Sequence, residues 1–75
     1  MNKNDLKYNL SYVIKYKGGR MSELINYIGE NTVQQFESIG FIDNPYKNIW
    51  SKTELADKYY KDIFGIFSFY KLKFF

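Results

Sequence analysis

Asn31, Thr32, Gln34 and Gln35 place four hydrogen-bonding side chains within five consecutive positions. An Asn or Gln amide both donates and accepts, so such a run can match adenine edges or donate to phosphate oxygens. The same run also describes an ordinary solvated helix face, and residue type alone leaves the two readings even. Lys15, Lys17 and Arg20 lie upstream, and Lys47 and Lys52 downstream. They are cations of the kind that anchor a phosphate backbone. Complementing a helix dipole explains the first three equally well, and solubility the last two. Catalysis has less to work with. The chain has no histidine and no cysteine, which removes imidazole bases, thiolates and the usual zinc ligands. The eight acids are scattered. Ser22–Glu23 and Ser51–Glu54 read as helix starts, not as nucleophile–base pairs. No enzymatic activity, metal or cofactor is expected.

The polar run needs a helix to present it, and the surrounding spacing supplies one. Leu6, Leu10, Val13 and Ile14 share one face of a first helix. Asn4 or Asp5 is placed to cap it, and Gly18-Gly19 to end it. Met21, Leu24, Ile25 and Ile28 define a short second helix that stops at Gly29. Asn31 and Gln34 have capping-box spacing for a third helix. In it Val33, Phe36 and Ile39 face inward, while Thr32, Gln34, Gln35 and Ser38 face out. Gly40 ends that helix.

Two short apolar runs follow, Phe41-Ile42 and Ile49-Trp50, around the turn-rich segment Asp43-Asn44-Pro45-Tyr46-Lys47-Asn48. They predict a small hairpin. Ser51 and Glu54 have capping-box spacing for a fourth helix that starts near Ser51 to Thr53. Its buried stripe is read as Leu55, Tyr59, Ile63, Phe67 and Tyr70. Gly65 interrupts that pattern, and the segment beyond it fits a helix or a strand. The expected class is mainly α with a small β-hairpin. The expected core joins Leu10, Ile14, Leu24, Ile28, Val33, Phe36 and Leu55.

Seventy-five residues allow one domain around one small core, with no cysteine to staple it. The first ten residues hold no apolar run of the signal-peptide type, and no window is long and apolar enough to span a membrane. A cytoplasmic protein is expected, and a membrane is not an expected partner. The net charge is +3, but its distribution says more. Between Met21 and Tyr46 there is no Lys or Arg, while Glu23, Glu30, Glu37 and Asp43 all lie there. The chain is basic at both ends and acidic in the middle.

Helix, helix, helix, hairpin, helix in this order resembles the winged helix-turn-helix domains of small prokaryotic and archaeal regulators. GGRMSELINYIG resembles the first helix of the motif, ENTVQQFESIGFI the recognition helix and the start of the wing. IWSKTELADKYY is similar to the second wing strand and the helix after it. The resemblance implies a transcriptional regulator that binds double-stranded DNA, with contacts at Arg20, Asn31, Thr32, Gln34, Gln35, Lys47 and Lys52. In that pattern Asn31, Gln34 and Gln35 read bases, and Arg20, Lys47 and Lys52 hold the backbone. Two features depart from the pattern. The recognition helix is about one turn short, and it carries no Lys or Arg. A second resemblance is to a helix-hairpin-helix, carried by YIGENTVQQF, where Tyr27 stands in place of the usual first glycine. The acidic middle favours a different class of function: a protein–protein module on the same scaffold, such as a small phage- or virus-type protein that binds and inhibits a host factor.

From Tyr59 to Phe75 the chain carries eight aromatics in 17 residues. They can complete the core, form a seam with a second copy, or face a partner or membrane surface. Core plus a homodimer seam is the expected arrangement, with Tyr59, Ile63, Phe67, Tyr70 and Phe74 at the seam.

Overall fold

The computed structural model describes residues 2–73. Helix α1 spans Lys3–Tyr16. Asn2, rather than Asn4 or Asp5, caps it, accepting from the Asp5 N–H at 2.8 Å. The helix closes at Lys17, whose backbone is left-handed (φ 66°) and whose N–H bonds the Val13 carbonyl. The next residues, Gly18–Arg20, form a strand, β1. Sequence spacing marks Gly18-Gly19 as a helix stop and gives no sign of this strand. The reason is steric. A Cβ on Gly18 would lie 2.9 Å from the Trp50 carbonyl oxygen, so a residue without one lets the two backbones meet.

Helix α2 (Met21–Ile28) and helix α3 (Glu30–Ile39) are joined by Gly29 alone. Gly29 has φ 90° and ψ 151°, a conformation that costs a side-chain-bearing residue heavily. Its N–H closes α2 on the Ile25 carbonyl, and its own carbonyl accepts from Val33 to open α3. The Asn31–Gln34 capping box therefore has no role: α3 already begins at Glu30, with no side-chain cap.

Strands β2 (Ile42–Tyr46) and β3 (Ile49–Lys52) form the expected hairpin around a Lys47-Asn48 turn. β3 also pairs with β1, so the sheet has three antiparallel strands in the order β1-β3-β2. Gly19 lies opposite Trp50, and Asp43 opposite Ser51, with an irregularity between Asp43 and Tyr46. Ser51 is thus a strand residue and does not cap a helix. Helix α4 (Glu54–Phe64) has Thr53 at its N-cap position. The Thr53 hydroxyl donates to the Gly40 carbonyl and its N–H to the Phe41 carbonyl, which pins the start of α4 to the end of α3. After Gly65 the chain is helical again, as α5 (Ile66–Lys73).

Leu10, Ile14, Leu24, Ile28, Val33 and Phe36 are buried together as their spacing predicts. Ile42 and Trp50 join them from the sheet and Phe41 from the bend before β2, with Val13 from α1 and Met21 from α2, and Phe36 meets Phe41 edge to face. Leu55 does not belong to this core, and Ile39 does not face inward: they are 45% and 54% exposed. The buried face of α4 is Ala56 and Tyr60, one position on from the predicted stripe, and α5 buries Phe69. Small Ala56, with no exposed surface, sits where α4 meets the body, and the buried Tyr60 phenol accepts from Ser11 on α1 at 3.3 Å. That leaves Ile63 and Tyr70 about half exposed and Phe67 88% exposed. The molecule is mainly helical with a small antiparallel sheet, an arrangement compatible with a winged helix. None of its helices is long and apolar enough to cross a membrane, among the described residues.

Candidate nucleic-acid interface

The core fixes which side of α3 meets solvent. Val33 and Phe36 point inward, so Asn31, Gln34, Gln35 and Ser38 fall on the opposite side, all exposed. These four border one shallow surface depression, with Ile39 at its edge. Thr32 sits at the margin and is half-buried. The centre of the face is uncharged amide and hydroxyl. Glu30 and Glu37 are also exposed, and helical spacing puts them on one flank. The face can donate and accept hydrogen bonds but contributes no positive charge.

Three of the candidate cations, Arg20, Lys47 and Lys52, lie in or beside the sheet. Lys47 is exposed at the hairpin turn and Arg20 is exposed at the end of β1. The turn brings their segments together. Asn48 adopts the left-handed conformation (φ 61°), and its carbonyl accepts from the Met21 N–H at 2.9 Å. Its side-chain oxygen accepts from the Ser22 N–H at 3.2 Å. The hairpin turn therefore caps α2 from 26 residues away, work that Arg20 at the N-cap position leaves undone. Two exposed cations and the N-terminus of α2 share one corner of the molecule. Glu23, exposed in the first turn of α2, lies in the same region, and Asn48 already accepts from the first two N–H groups of that helix.

Lys52 is placed differently. Its ammonium sits 2.6 Å from the Asp57 carboxylate, and both side chains are largely covered. This pair ties β3 to the first turn of α4. Of the residues singled out from sequence, Asn31, Gln34 and Gln35 come together on α3, and Arg20 and Lys47 come together at the turn. Lys52 joins neither group. Tyr59, Ile63, Phe67 and Tyr70 lie along α4 and α5, and Phe74 lies outside the described residues.

One cluster escapes the sequence reading. Tyr8, Tyr12 and Tyr16 recur every fourth residue on α1, and Tyr27 of α2 meets Tyr12. The Tyr12 ring lies 4.8 Å from Tyr27, stacked, and 4.6 Å from Tyr16, tilted. Burial raises the Tyr12 phenol above its ordinary pKa, helped by the neighbouring Tyr27 and Tyr16 phenols and by Glu23. The four-residue repeat was the available signal. It was masked by the aliphatic stripe that shares the helix.

No protein-family model matches this chain, and neither a curated protein nor a solved structure matches it.

Proposed function

We propose that the chain is a cytoplasmic DNA-binding regulator of the winged helix-turn-helix kind, with α3 as its recognition helix and the β2–β3 hairpin as its wing. The observation that carries the proposal is the exposed amide face Asn31–Gln34–Gln35 on the second of two helices joined by a single glycine. Element order and the strand order β1-β3-β2 support it. In this reading Asn31, Gln34 and Gln35 meet base edges, with adenine the natural match for an amide that donates and accepts. Arg20 and Lys47 hold phosphates on either side of the hairpin turn. Lys52 is left out of the contact set, because its ammonium already serves Asp57. The reading is tested by selecting sequences from a random duplex pool. Wild type should enrich a site containing adenine, and the Gln34→Ala/Gln35→Ala double variant should still bind with a relaxed sequence preference. A wild-type chain that enriches nothing defeats the proposal.

One observation favours a second reading. Glu30 and Glu37 border the α3 face, no cation lies on that helix, and Ile39 is half exposed at its end. Such a face suits a basic or amide-rich protein surface, as on a host factor held inactive. Absence of duplex binding at low salt would shift the proposal to this reading.

A further inference from the structure

Helices α4 and α5 each bury one side and leave a second apolar side in water. On α4 the uncovered residues are Leu55 and Ile63, with half-buried Tyr59 between them. On α5 they are Ile66, Phe67 and Tyr70. Phe67 is the extreme case at 88% exposed. A full aromatic side chain carries about 150–250 Å². Scaling by the exposed fractions puts the uncovered apolar area on the order of 500 Å². A standard interface covers roughly 800 Å² per partner, so polar residues beside these side chains must supply the rest.

The rim has the right signs for a particular partner. Lys58 and Asp62 are both exposed and sit one helical turn apart beside the Leu55–Tyr59–Ile63 stripe. Among the described residues they form no ion pair with each other. Two α4 helices packed antiparallel about a two-fold axis near residue 60 would place Lys58 of one copy opposite Asp62 of the other, twice. A surface that is apolar in the middle and carries one cation and one anion on either side of its midpoint is complementary to itself. A heterologous partner would need no such symmetry.

We infer that the α4–α5 outer face binds a second copy of this chain, through a two-fold contact centred on α4 with Phe67 as an anchor and Lys58–Asp62 pairs at its edge. This inference does not rest on the DNA reading. A dimer that binds no DNA would keep the one and remove the other.

Sedimentation equilibrium across the micromolar range tests it. The wild-type mass should rise with concentration from 9.0 kDa towards twice that value. Phe67→Glu should remain at the single-chain mass with an unchanged helical circular-dichroism spectrum and melt, since Phe67 supports nothing in the monomer. Lys58→Asp should weaken association by more than about tenfold, because like charges then face each other. Lys58→Asp/Asp62→Lys should restore it. A wild-type chain that keeps the single-chain mass throughout overturns the inference. So does a dimer indifferent to Phe67→Glu, or a charge swap that fails to rescue. A chain that stays single and instead floats with anionic lipid vesicles also overturns it, and assigns the face to a membrane surface.

Discussion

Phe36 and Leu55 show how much one side chain's surroundings decide. Both sit at apolar positions of a helical stripe, yet Phe36 is 1% exposed and Leu55 45%. Phe36→Ala removes a ring packed edge to face on Phe41 and should cost about 3–5 kcal/mol in urea unfolding. Leu55→Ala, measured on dilute protein, should cost no more than about 1 kcal/mol, near the range of surface changes. Equal losses for the two variants would contradict this account of the core. Tyr12 provides a pH test. Its phenol is held above the ordinary value of 10.0, first by burial and then by Tyr27, Tyr16 and Glu23. The folded state therefore resists its ionisation. The stability this contributes is complete below about pH 10, the unfolded value, and is lost as pH rises through the higher folded value. Tyr12→Phe should lose less stability than wild type between pH 10 and more alkaline conditions. Matching alkaline melting curves would remove the effect.

At the scale of elements, the hairpin turn and α2 are coupled through Asn48. That residue holds a left-handed conformation that Asn tolerates better than most residues, and it caps α2 with both its carbonyl and its side chain. Asn48→Ala loses the side-chain cap and strains the backbone, so it should destabilise by about 1–2 kcal/mol. Asn48→Gly relieves the strain and should recover part of that loss. An Ala variant as stable as wild type would mean that the turn does not support α2. The same elements show where sequence spacing succeeds and where it stops. Helices α1 to α3 and the hairpin are legible because apolar periodicity and glycine stops agree there. Strand β1 is invisible because its two glycines serve equally as a helix stop and as a close approach to Trp50. The phase of α4 is ambiguous for a different reason. Leu55–Tyr59–Ile63 and Ala56–Tyr60 both repeat at helical spacing, and the more aliphatic stripe looks buried. Packing selects the other, since Ala56 lets α4 close on the body and Tyr60 finds Ser11. The α3 face follows directly from the inward Val33 and Phe36. The pairing of Lys52 with Asp57, five residues away, depends on the bend from β3 into α4 and has no periodic signature.

For the molecule as a whole, charge and shape point in different directions. The amide face sits on an acidic stretch of chain, while Arg20 and Lys47 reach one corner through the hairpin turn. A DNA complex must therefore draw its salt-sensitive affinity from few cations and its sequence preference from uncharged groups. That expectation is quantitative. Each phosphate neutralised on a duplex contributes about −0.9 to the slope of log K against log salt. Two anchors per chain give a slope of about −2 for a single bound chain and about −4 for a pair. The most direct test is a fluorescence-anisotropy titration of a labelled duplex across a salt series, with wild type, Arg20→Ala and Lys47→Ala. The account predicts binding at low salt with a slope in that range, made shallower by about 1 per chain by either substitution. No binding at low salt, or a slope that neither substitution changes, would contradict it.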